Sequence, residues 1–92
     1  MKTSPAIGTR IYYTGDMANQ SDWGTVVADA SRTGYIALKF DSGKQTAYLS
    51  PAQIGDVYEG HCGTRFVTET AYNTFKAKRI AEYEAWANRM TA

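Results

Sequence analysis

The chain has 92 residues, a net charge of +1 from ten basic and nine acidic side chains, 43% apolar residues and a single cysteine. That length holds one small core and one domain, the apolar share belongs to a globular chain, and the balanced charge supplies no bulk attraction to nucleic acid or anionic lipid. A lone cysteine excludes an internal disulfide; with no apolar run near the ~18 residues of a membrane helix and no signal-like start, a cytoplasmic protein without a membrane partner is expected.

Residues 1–6 lack periodicity and include Pro5, which predicts a loose arm. Residues 8–13 read as a first strand, with Ile11 and Tyr13 on one face and Arg10 and Tyr12 on the other. A nine-residue polar loop, 14–22, follows; it exceeds a tight hairpin and is the type of segment used in recognition. Trp23 to Ala28 is a second strand in which Val26 shares a face with Ala28, and Gly24 marks a bulge or a close backbone contact.

The central hairpin carries the clearest local signal. Ile36, Leu38 and Phe40 alternate with Ala37 and Lys39, and Tyr35 precedes them on the Ala37 face. The Asp41-Ser-Gly turn then reverses the chain. Gln45 to Leu49 returns with Ala47 and Leu49 on one side and Thr46 and Tyr48 on the other. Pro51 ends the ladder, Ser50 to Ile54 forms a helical turn, and Asp56 to Tyr58 supplies a brief fifth strand. Five short strands in about fifty residues are the scale of a small closed barrel.

The run Gly8-Thr-Arg-Ile-Tyr-Tyr, the long loop, Trp23-Gly-Thr-Val-Val, Gly34-Tyr-Ile-Ala-Leu-Lys-Phe, the Asp41-Ser-Gly turn and Leu49-Ser-Pro-Ala-Gln-Ile resembles the SH3-like barrel superfold and its Tudor and KOW-type relatives. The likeness covers residues 7–58 and rests on strand order and turn placement. It implies binding of peptides, modified side chains, RNA or DNA without selecting among them.

Residues 59–67 read as a glycine-broken linker within a single domain. From residue 68 to 90 the period changes to that of a helix, with Thr68 or Thr70 as N-cap and Glu69 near the positive end of the dipole. Tyr72, Phe75, Tyr83, Trp86 and Met90 form one broad stripe; Lys78, Glu84 and Asn88 lie opposite. Such a helix is about 30 Å long at about 1.5 Å per residue, longer than a small barrel can cover. The expected fold is therefore mainly β with a C-terminal α-helix: a five-stranded SH3-like barrel with an overhanging aromatic coil.

His61 and Cys62 are adjacent, which suits neither a four-ligand zinc site nor a thiol–histidine pair, so no metal is expected. The carboxylates form no acid–base set, and neither an enzyme nor a cofactor is expected. Arg79 sits inside the apolar sector. Its stem can cover neighbouring rings, or its guanidinium can meet a ring, a carboxylate or a phosphate across an interface. Tyr35 faces away from the hairpin core, whereas Tyr12, Trp23 and Tyr48 either meet the core, meet the helix or stay exposed.

Together these features predict a small protein-binding, regulatory module, an inhibitor or accessory of a nucleic-acid-handling complex. Its interface would be Tyr83, Trp86, Met90, Arg79 and the Asp16–Asp22 loop, and its partner another protein or a second copy in an oligomer. The alternative is direct nucleic acid binding through Lys39, Lys44, Arg65, Lys76, Lys78, Arg79 and Tyr35.

Overall fold

The computed structural model describes residues 4–15, 20–60 and 65–91. Strand β1 (Arg10–Tyr13) pairs antiparallel with β2 (Asp22–Ala28), β2 with β3 (Ile36–Phe40), and β3 with β4 (Ala47–Leu49). A single 3-10 turn, Pro51–Gln53, links β4 to β5 (Ile54–Gly55), and β6 (Phe66–Thr68) runs straight into helix α1 (Glu69–Thr91). The order across the sheet is β4-β3-β2-β1-β6-β5, a six-stranded half-barrel that is mainly antiparallel, with β5 and β6 parallel.

Strand number and placement differ from the five expected. The fifth strand is Ile54–Gly55, one step earlier than Asp56 to Tyr58, and a sixth lies in the segment read as linker. Phe66, Val67 and Thr68 pair with Tyr13, Tyr12 and Ile11, and the Thr14 amide donates to the Arg65 carbonyl at 2.8 Å. Three residues are too few for a period-two signal to stand out beside the glycines before them.

Alternation fills the concave side. Ile11, Val26, Ile36, Leu38, Leu49 and Ile54 are almost wholly buried there, with Tyr13 and Phe40 beside them. Gly24 lies in β2 opposite Ile11 and Phe40. A Cβ at this position would stand 2.7 Å from Leu38 Cγ and 2.9 Å from its Cδ1, so the glycine makes the room that Leu38 occupies. Gly24 is thus a close backbone approach, and the bulge sits further on: Val26 pairs with Leu38 but Ala28 with Ala37. The extra residue turns Ala28 outward, so Ala28 is exposed instead of sharing the Val26 face.

The turn after β3 forms as read, with the Gly43 amide donating to the Phe40 carbonyl at 3.1 Å. After β4, the Ser50 amide donates to the Gln53 side-chain oxygen at 2.8 Å, bracing the 3-10 turn. Thr68 is the N-cap of α1, its Oγ1 accepting from the Ala71 amide at 3.0 Å, and Glu69 occupies the first turn. The whole chain measures 58 × 28 × 22 Å with a radius of gyration of 15.5 Å. A compact chain of this length has a radius of about 12 Å; the excess is the projecting helix.

Candidate docking surfaces

The convex side of the sheet holds α1 at its root only. Tyr12 of β1 and Trp23 of β2 are cross-strand partners that point outward, their ring centroids 5.1 Å apart. Tyr72, at the end of the first turn of α1, packs on both, at 4.4 Å and 5.0 Å. Tyr58 stacks toward Tyr72 and lies 4.5 Å from Phe75. Val67, opposite Tyr12, and Ala71 are buried beneath this cluster. Five aromatic residues thus make a second small core outside the barrel, which settles Tyr12 and Trp23 as helix contacts. Burial pushes the Tyr58 hydroxyl above its ordinary pKa.

Gly60 closes the root. It adopts φ +80°, and a Cβ there would approach the Phe75 ring to 2.6 Å. Arg10 braces the other side: it donates to Thr25 Oγ1 at 2.7 Å and to both Asp41 carboxylate oxygens at 2.8 and 2.6 Å, while its guanidinium lies 5.5 Å from the Trp23 ring centre. The Arg10 bond holds the Asp41 carboxyl below the usual carboxylate range.

Beyond the root the helix stands clear. From Lys76 to Met90 every side chain is exposed except half-buried Ala87. Ile80 is 50%, Tyr83 67%, Trp86 52% and Met90 67% exposed, and Tyr83 and Trp86 pair with each other at 6.1 Å. Tyr72, Phe75, Lys76, Arg79, Ile80 and Tyr83 line one continuous groove along α1, and Glu84, expected on the opposite side, borders it one turn beyond Ile80. Arg79 therefore lies within the apolar stripe, and Ile80 joins it, a residue the sequence reading had left out. Its spacing of three residues before Tyr83 and six before Trp86 was the available signal.

A second apolar surface lies on the convex side of β2, β3 and β4. Ala37 forms its floor; Ile7, Val27, Tyr35 and Tyr48 rise around it, and Arg32 and Asp29 are its polar edge. Tyr35 is 55% and Tyr48 74% exposed. Tyr48 joins Tyr35 on an open face because Ala37 and Tyr48 are cross-strand partners.

The remaining predicted residues are dispersed. Asp16, His61 and Cys62 lie outside the described residues. Asp22 accepts from the Trp23 amide at 2.8 Å and from the Ser42 hydroxyl at 2.5 Å, tying β2 to the turn after β3. Lys44 donates to the Gln20 carbonyl at 2.9 Å and rests over the Tyr13 and Phe40 rings. It shares a pocket with Arg65. Lys39 is exposed on β3 opposite Thr25, and Lys76, Lys78 and Arg79 are on α1. The basic residues thus occupy three places.

Among the described residues no group of three or more histidine, cysteine, aspartate or glutamate side chains is gathered to hold a metal, and no helix is long and apolar enough to cross a membrane. No protein-family model, curated protein or solved structure matches the chain.

Proposed function

We propose that this chain is an SH3-like intracellular docking module that binds another protein chain through the free length of α1, and that it acts as a regulator. The observation that carries this reading is the surplus helix. Sixteen residues of α1, from Lys76 to Thr91, extend about 24 Å past the root. An isolated helix of that length is marginal in water, because most helical stability in proteins comes from a buried face. Here that face is present as sequence, Ile80, Tyr83, Trp86 and Met90, and is uncovered by its own barrel. Rigid aromatic side chains with a neighbouring arginine are the composition of interface anchors.

The root cluster gives the module its direction. Tyr72 and Phe75 fix the helix axis against the sheet, so the exposed stripe is presented at a set angle with little ordering cost on binding. Direct nucleic acid binding has less support, because Lys44 is engaged with Gln20 and the other cations are spread over separate elements.

The test is capture from host extract by the full chain and by its Trp86→Ala variant, each with and without nuclease. A protein partner retained after nuclease and lost with Trp86→Ala is the expected result. Equal capture by both chains, with self-association also equal, overturns the docking assignment, and capture abolished by nuclease transfers the function to nucleic acid.

A further inference from the structure

The exposed stripe is sorted along its length. Nearest the barrel it carries Lys76 and Arg79, with Lys78 behind them and no acidic residue from Tyr72 to Ile80. Toward the tip it carries the rings of Tyr83 and Trp86 with Met90, flanked by Glu82 and Glu84. Lys76, Lys78 and Arg79 therefore stand at one end, and π faces with two carboxylates at the other, where Arg89 in the last turn is the one cation. On the docking reading above, we infer that the partner of this surface is a second copy of the same chain, with the two α1 helices side by side and antiparallel about a two-fold axis.

A two-fold antiparallel pair sets each cationic half against the aromatic, acidic half of its neighbour, so Lys76 and Arg79 meet rings and carboxylates twice over. Parallel pairing would set like charges together and bring both barrels to the same end. Antiparallel pairing places the barrels at opposite ends of the helix pair, where the projection of α1 leaves room for them. The area also suits a dimer. Ile80, Tyr83, Trp86 and Met90 are half to two-thirds exposed. With aromatic side chains of about 150–250 Å² each, two copies bring together on the order of 1,000 Å² of apolar surface. That is near the lower bound of about 1,000 Å² for a specific interface, and a micromolar dimer is expected.

Sedimentation equilibrium of the full chain tests this with five variants, each checked for an unchanged circular dichroism spectrum. Wild type should dimerise; Trp86→Ala should weaken the dimer about tenfold or more, and Tyr48→Ala, on the other apolar surface, should leave it unchanged. The double reversal Lys76→Glu/Arg79→Glu should weaken it by about tenfold at low salt, since both halves become acidic. Adding Glu82→Lys/Glu84→Lys to that chain should recover most of the loss, whereas Glu82→Lys/Glu84→Lys alone should weaken the dimer. A double reversal that leaves the dimer intact, or a fourfold variant no tighter than the double, overturns the antiparallel arrangement. A loss on Tyr48→Ala equal to that on Trp86→Ala moves the helix into the partner's β-sheet groove and overturns it as well. A wild-type chain that stays monomeric into the submillimolar range overturns the second-copy assignment alone; the docking reading falls separately, when Trp86→Ala leaves both self-association and host-protein capture unchanged.

Discussion

Replacing Tyr72 by alanine should release α1 from the barrel while the concave core survives. The Tyr72 ring meets Tyr12 at 4.4 Å, Trp23 at 5.0 Å and Tyr58 at 6.5 Å. Aromatic pairs contribute about 0.5–1.5 kcal/mol each beyond their area, and the longest of these contributes least, so the three amount to about 2–3 kcal/mol. Alanine returns a few tenths of a kcal/mol through helix propensity. The remaining deficit falls on an element that cannot hold itself, because the projecting part of α1 has no other covered face. The buried cluster of Ile11, Val26, Ile36, Leu38 and Leu49 lies on the opposite side of the sheet and loses nothing directly. Two probes of thermal unfolding at the lowest workable concentration separate these outcomes. The helical signal at 222 nm should fall at a lower temperature than the NMR ring signals of Tyr13 and Phe40 in the concave core, whereas the two coincide in wild type. A variant whose two signals still coincide, with a midpoint within about 2 °C of wild type, would refute the root as the element that holds α1.

Trp86→Ala should leave monomer stability within about 0.5 kcal/mol, because the side chain is already 52% exposed, and urea unfolding below the association range checks this. Gly24→Ala should cost about 1–3 kcal/mol through overpacking against Leu38, read as a lower urea midpoint at unchanged slope; a midpoint equal to wild type contradicts the close approach. Arg10→Lys should lower the urea midpoint slightly at unchanged slope, since an ammonium cannot reproduce the two parallel bonds to Asp41, and the exposure of the pair limits the loss. Two of the perturbed groups, Asp41 and Tyr58, have a pH signature that a variant can remove. The Asp41 pKa is depressed in the folded chain, so its contribution is present above the ordinary value of 3.8 and is lost as pH falls through the lower folded value; acid titration of Arg10→Ala should lack that step. The Tyr58 pKa is raised, so its contribution is full below 10.0 and is lost as pH rises through the higher folded value, and Tyr58→Phe should remove that alkaline loss.

The central hairpin and the concave face were legible because period-two alternation is local. Ile36, Leu38 and Phe40 announce a buried face whatever they pack against, and the turn at Gly43 and the cap at Thr68 need only their near neighbours. The stripe on α1 was legible for the same reason, at helical period, and the length of the helix against the size of the barrel foretold its overhang. Other features depend on partners distant in sequence. Whether Tyr12 and Trp23 were exposed rings or the seat of a helix turned on Tyr72 and Phe75 arriving from about fifty to sixty residues away. Phe66 to Thr68 became a strand because β1 offered it a free edge, which no window around those residues records.

The fate of individual charges was likewise a tertiary matter. Asp22 belonged to a loop that looked free, yet its carboxylate ties β2 to Ser42 on the following turn. Lys44 resembled a surface cation, yet it reaches the Gln20 carbonyl across two aromatic rings. The amino-acid order by itself determined which side chains alternate, where the chain reverses and how long α1 is, since these follow from backbone geometry and nearest-neighbour chemistry. Only the tertiary structure decided which apolar faces are covered, because burial is a property of two surfaces in contact: it covered Ala71 and half-buried Tyr72 and Phe75 at the start of α1, and left Tyr83, Trp86 and Met90 in water.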